Sequence, residues 1–137
     1  ETDAVEKRLF LKPFEKGTVI YEEDDRPDAL YFIQKGNVEI FRCIREKPLQ
    51  TIMKLGSGDF FGEVGIIDGG NRFAGAKALD DLELLVLLRS DFDRIVGENT
   101  ILRHKVYTTF IREMAGRLRA SDDAFREFFK NALMKDR

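Results

Sequence analysis

The chain has almost no sulfur chemistry available to it: of 137 residues only Cys43 is a cysteine. One thiol excludes an internal disulfide, a CxxC redox pair, a four-thiolate zinc site and an iron–sulfur cluster held by this chain alone, and it fits a reducing, cytoplasmic setting. Histidine is equally scarce, with His104 the single example, and tryptophan is absent. The clustered histidines of a barrel-type metal enzyme are therefore missing. His104 reads as a surface or packing residue, Cys43 as a small strand side chain, and neither supports a haem. Long apolar runs are lacking too. None approaches the ~20 residues of a membrane-spanning helix, the acidic start ETDAVEK is no signal peptide, and no membrane partner is expected. Charge of one sign is also lacking: 23 Lys and Arg against 25 Asp and Glu leave a formal net charge of -2. No global field gathers nucleic acid, so any anion site must be local.

What is present is 43% hydrophobic residues with 12 Phe, enough for one core and one domain. From Lys7 to Ser90 the chain reads as short apolar or alternating runs (KRLFLKPF, TVIYEE, ALYFIQ, NVEIFRCI, LQTIMKL, RFAGAKAL, LELLVLL) separated by turn residues. That pattern predicts many short strands in a sandwich or barrel. LYFI and LLVLL are apolar at successive positions, as in strands covered on both faces, and are expected at the centre. NVEIFRCIREKPLQTIMKL reads as a hairpin turning at Pro48.

After Ser90 the period changes. SDFDRIV predicts a short helix capped by Ser90. From about Thr100 onward there is no proline and one glycine, Gly116, so a long helix of about 50 Å at ~1.5 Å per residue is expected. Ile111, Met114, Leu118, Ser121, Phe125, Phe128 and Ala132 recur at steps of three and four, a coiled-coil seam polar only at Ser121. A small β-domain cannot cover that length, so part of the seam is expected to meet a second copy. Nine Lys and Arg against five Asp and Glu from Arg103 onward describe a solvated face rather than a nucleic-acid-binding segment.

The chemistry concentrates in GDFFGEVGIIDGGNRFAGAKA, residues 58–78. Glu63 and Arg72 stand in an apolar, glycine-rich run, and burying them is costly unless each meets a polar partner. GEVGII is short enough for one helical turn whose free N–H groups attract anions. The fork of Arg72 matches phosphate oxygens. A carboxylate only accepts, so Glu63 suits a hydroxyl donor. A receptor for a sugar phosphate is one solution, and a half-buried Glu63–Arg72 salt bridge is the other. No nucleophile, base and orienting group stand together, so the chain reads as no enzyme.

This run resembles the phosphate-binding cassette of the cyclic-nucleotide-binding domain family: FGE, an apolar three, a small loop, then Arg and small residues. DALYFIQKGNVEIF, with Gly36, is similar to the family's strand–turn–strand, LELLVLLRSDFDRIV to its last strand and following helix, and MAGRLRASDD to the long helix of the catabolite-activator (Crp/Fnr-type) branch. The resemblance covers about residues 7–124. It implies a mainly β fold, a jelly-roll-type β-roll (double-stranded β-helix) with a short cassette helix and C-terminal helices of which the last is long. Residues 1–99 would form the β-roll and residues 100–137 the long helical segment of the same unit. The implied ligand is a 3′,5′-cyclic nucleotide, with no other cofactor. Glu63 would take the ribose 2′ hydroxyl, Arg72 the cyclic phosphate, and Gly62 with its neighbours Phe61 and Val64, and Phe73 and Ala74 after the arginine, would complete the cassette. Beyond the Arg117-Leu118 pair, Ser121 and Asp122 fall where the branch reads the base. Ser121, the polar seam residue, could instead set helix register.

Two positions depart from the family pattern. Phe73 stands where Ala or Ser is usual and would narrow the pocket. Gly75 stands where many members carry Thr or Ser; losing that hydroxyl favours cyclic AMP over cyclic GMP. The expected function is a cyclic-nucleotide sensor that moves a C-terminal helix, part of a transcription regulator or other signalling protein, and dimeric through that helix. The alternative is a β-roll that has lost its ligand and acts as a dimerisation or docking module. The start at Glu1 and the lack of space for a helix-turn-helix before Arg137 suggest an excised sensor.

Overall fold

The computed structural model describes residues 8–42, 50–120 and 130–131. Among the described residues the strands are β1 (Phe10–Phe14), β2 (Val19–Tyr21), β3 (Ala29–Lys35), β4 (Val38–Arg42), β5 (Gln50–Leu55), β6 (Phe60–Phe61), β7 (Gly75–Ala78) and β8 (Leu82–Leu88). The helices described over their length are α1 (Glu63–Asp68), α2 (Arg89–Glu98) and α3 (Thr100–Ala120). The strands form two four-stranded sheets, in the orders β1-β8-β3-β6 and β2-β7-β4-β5, with every pairing antiparallel. This is the expected β-roll.

The central places fall to β3 and β8, the two strands apolar at successive positions, because each must face two apolar layers. Tyr31, Ile33, Leu82, Leu84 and Val86 point inward, against Val38, Ile40, Leu55 and the small residues Ala74, Ala76 and Ala78. Leu30 and Leu87 point outward, under a second cluster with Phe92, Ile95 and Val96 of α2 and Leu102 and Phe110 of α3. The hairpin also forms, with β4 and β5 paired from Val38↔Leu55 to Arg42↔Gln50; its turn and Cys43 lie outside the described residues.

One expectation about the helices is corrected. The N-cap of α2 is Leu88, without a side-chain cap, not Ser90. The chain enters the helix directly from β8 because the Arg89 N–H donates to the Asp28 carbonyl at 2.8 Å, which satisfies a first-turn donor without a capping hydroxyl. Asn99 separates α2 from α3, and its Oδ1 accepts the Leu102 N–H at 3.0 Å, capping the longer helix. Of the expected seam, Ser121, Phe125, Phe128 and Ala132 lie outside the described residues. Met114 faces the β-roll and lines a cavity there, whereas Ile111 is 66% exposed. The stripe Leu102, Val106, Phe110, Met114 turns inward, so a helix with this pattern first buries against its own sheet.

Candidate functional site

Strand β6 delivers the chain to Gly62, the N-cap of α1, at φ 89°. A side chain here would be strained, and its Cβ would lie 2.9 Å from Arg72 Nη1 and 3.2 Å from the Ala29 carbonyl oxygen. Only glycine fits. The next residue, Glu63, opens α1 with its carboxylate 3% exposed. Burial raises its pKa above the ordinary carboxylate value, while the Arg117 guanidinium, its own backbone N–H and Arg72 pull the other way.

Arg72 is also 3% exposed. Its backbone is held by the β2–β3 loop: the Arg72 N–H donates to the Asp25 carbonyl and its carbonyl accepts from Asp24, both at 2.8 Å. Its guanidinium donates from Nη1 to the Gly62 carbonyl and from Nη2 to the Ala29 carbonyl, each at 2.6 Å, and Asp28 Oδ1 stands 3.7 Å from Nη2. The Tyr21 ring lies over the guanidinium, 4.0 Å from ring centroid to Cζ. Nε is buried and has no hydrogen-bond partner among the described residues.

The salt-bridge solution weighed above therefore takes a different form. Glu63 does pair with an arginine, but it is Arg117 of α3, with Nη1 donating to Oε1 at 2.9 Å. Arg117 also donates from Nη2 to the Phe60 carbonyl and lies over the Phe60 ring at 5.0 Å. Arg72 gives its two Nη groups to carbonyls, which compensates much of its burial. Both buried charges sit around Gly62 and each has its own partners.

A cavity of about 30 Å³ lies against this turn, lined by Phe61, Gly62, Glu63, Val64 and Phe73 together with Tyr21 and, from α3, Met114 and Arg117. Of the expected site residues, those five line it. Arg72 does not, because Tyr21 stands on that side, and Ala74 is packed in the core between the sheets. Ser121 and Asp122 lie outside the described residues. Gly75 pairs with Phe41 across β7 and β4, and a Cβ there would come within 2.4 Å of Phe41 Cζ. The hydroxyl usual at this position is absent because the Phe41 ring occupies its space.

Among the cavity residues not singled out from sequence as site residues are Tyr21 and Arg117, beside the apolar Ile40, Met53, Leu55 and Met114. A lone arginine on an otherwise apolar helix stripe was the available signal for Arg117. For Tyr21 there was none, since a bulge between Val19 and Tyr21 shifts the register of β2. Burial pushes its phenol well above the ordinary value, which keeps it neutral beside Arg72.

The model of the cyclic nucleotide-binding domain matches residues 11–99, well over half of the chain. The chain is 33% identical over 109 residues to the cyclic AMP receptor protein of Thermus thermophilus, covering 80% of this chain and 49% of that protein. It is 28% identical over 102 residues to a cAMP-dependent protein kinase regulatory subunit of Dictyostelium discoideum, covering 74% and 31% respectively. The crystal structure of the Thermus thermophilus catabolite activator protein superposes with a TM-score of 0.73 at 29% identity, over 84% of this chain and 54% of that one. The chain thus spans about half or less of the length of these relatives.

Proposed function

The chain belongs to the cyclic nucleotide-binding domain family, and from that premise we propose that it is a sensor for a 3′,5′-cyclic nucleotide, cyclic AMP in preference to cyclic GMP, whose binding repositions α3. The observation that carries this is the contact between Glu63 and Arg117. The buried carboxylate that would take a ribose hydroxyl is held by a guanidinium of the helix that would have to respond. Ligand and helix then share one acceptor, which is the differential interaction that any coupling requires.

The volume argues the same way. At about 30 Å³ the cavity is well below the ~300–1,000 Å³ of a ligand pocket, so a nucleotide needs side chains to leave the cavity wall. Met114 and Arg117 of α3 are on that wall. Beneath α3, a separate apolar cavity of about 210 Å³ between Leu30, Phe60, Val106 and Phe110 leaves the helix room to repack. For the phosphate, Arg72 Nε is a buried donor without an acceptor among the described residues. The preference for cyclic AMP follows from Phe41 filling the place of a hydroxyl at Gly75. One missing bond of about 1 kcal/mol amounts to less than tenfold in affinity.

The relatives that carry such a module as part of a longer protein include a receptor for cyclic AMP and a kinase regulatory subunit. By analogy the module serves a transcription regulator or another signalling protein as a non-catalytic part, and Ser121 and Asp122 are assigned to the base. Self-association through the exposed side of α3 belongs to the same proposal.

Calorimetric titration of the 137-residue chain with cyclic AMP and cyclic GMP tests it. Binding in the wild type that disappears in Arg72→Ala is expected; equal heats in the two proteins would remove it. A second function, a β-roll closed to nucleotide and used for docking, is favoured by one observation, the small cavity with Phe73 on its wall. Absence of any binding heat would select it.

A further inference from the structure

Arg72 is closed off in the arrangement described. Each Nη donates to a carbonyl oxygen at 2.6 Å, a face of the guanidinium is covered by Tyr21, and Nε is buried without a partner among the described residues. Independently, the cavity beside the cassette is lined by Tyr21 and not by Arg72. The ring that stacks on the guanidinium is also the wall between it and the cavity.

Tyr21 is held there from several sides. The bulge in β2 turns it inward. Its ring lies 6.0 Å from that of Tyr31 and 6.1 Å from that of Phe61, while Tyr31 and Phe61 stack at 5.1 Å. Such contacts favour one ring position without locking it, since each aromatic pair is a modest attraction.

We infer that Tyr21 sets the affinity of this site: its ring occupies the guanidinium of Arg72, and the anionic group of the ligand binds only by displacing it. This rests on the proposed cyclic-nucleotide function and adds a residue to it. The displacement exchanges a cation–π contact for the charge-assisted attraction of the guanidinium to a phosphate oxygen, so a group of lower charge than a phosphodiester gains less from moving the ring.

The test uses the whole chain, cyclic AMP as probe, and tyrosine emission, which no tryptophan obscures. Tyr21→Phe keeps the stacked ring but removes the fluorophore; Tyr21→Leu removes the stack and keeps an apolar side chain. Expected are an emission change on binding in the wild type, its loss in Tyr21→Phe at unchanged affinity, and affinity about tenfold higher in Tyr21→Leu, the equivalent of one partly desolvated cation–π contact. An emission change that persists in Tyr21→Phe, or a folded Tyr21→Leu that binds no tighter than the wild type, overturns the inference and leaves the cyclic-nucleotide function standing. If Tyr21→Leu does not fold, the emission of Tyr21→Phe decides. Binding seen only in Tyr21→Leu supports the inference. Binding in none of the three proteins removes the function and the inference with it.

Discussion

Replacing Arg117 by methionine should destabilise the protein by an amount that depends on pH. In the wild type the guanidinium meets a carboxylate 3% exposed, and its own side chain is 14% exposed. Removing one partner of a buried pair costs ~3–5 kcal/mol, and the residual exposure of Arg117 puts the expected loss near the lower end, about 3 kcal/mol around neutral pH. The bond to the Phe60 carbonyl is lost as well and accounts for about 1 kcal/mol of that at any pH. The remainder belongs to ionised Glu63. Its folded pKa lies above the ordinary 4.5 because burial outweighs the pull of Arg117, so the native state holds the proton longer than the unfolded chain. The stability contributed by this group is full below about pH 4.5 and declines as pH rises through the folded pKa. Without Arg117 the folded pKa climbs further and the decline is deeper. Urea unfolding followed by circular dichroism at a series of pH values should therefore find the two proteins about 3 kcal/mol apart near neutrality and about 1 kcal/mol apart once Glu63 is protonated in both. A difference independent of pH would refute the reasoning, and a Glu63→Gln background, in which the substitution should cost little beyond the Phe60 bond, provides the second arm.

Gly75→Ala should lower the melting temperature through an overpacking cost of about 1–3 kcal/mol, because the new methyl meets the Phe41 ring, and most of that should return in the Phe41→Leu background. Equal melting temperatures for Gly75→Ala and wild type would contradict the packing described. Ile111→Glu, placed on the 66% exposed side of α3, should weaken self-association in sedimentation velocity without altering the secondary structure; a wild type that sediments as a monomer at every concentration removes the proposed dimer.

The strands were legible because their period and their two-sided burial leave a direct trace in the residue order. LYFI and LLVLL could only be central, and they are β3 and β8. The cassette was legible for a different reason: Gly62 is dictated by backbone geometry and crowding, which permit no other residue, so it survives as a sign in the sequence. What could not be read depends on contacts across long separations. Arg117 meets Glu63 54 residues away only because α2 and α3 fold back over the sheet. Phe41 meets Gly75 because β4 and β7 pair in one particular register. The start of α2 was misplaced because its first donor is satisfied by a carbonyl from the β2–β3 loop, a partner invisible to local capping rules.

The carboxylate and the guanidinium that the proposed ligand would use both already make internal contacts, and affinity on this mechanism is the difference between two sets of contacts. Arg72 would leave a ring, and Glu63 would exchange or share a guanidinium. The two exchanges differ in consequence. Tyr21 belongs to β2, so its displacement stays within the β-roll and changes how tightly ligand is held. Arg117 belongs to α3, and freeing it from Glu63 also loosens its hold on the Phe60 carbonyl and ring, so the end of the helix loses its attachment to the cassette in one step. Movement of α3 can then be no larger in free energy than the difference between the contacts Arg117 gives up and those it finds afterwards. A substitution that removes Arg117 should therefore uncouple the helix from the ligand while leaving Arg72 and its phosphate contact in place, whereas Tyr21→Leu should change affinity and leave the coupling intact.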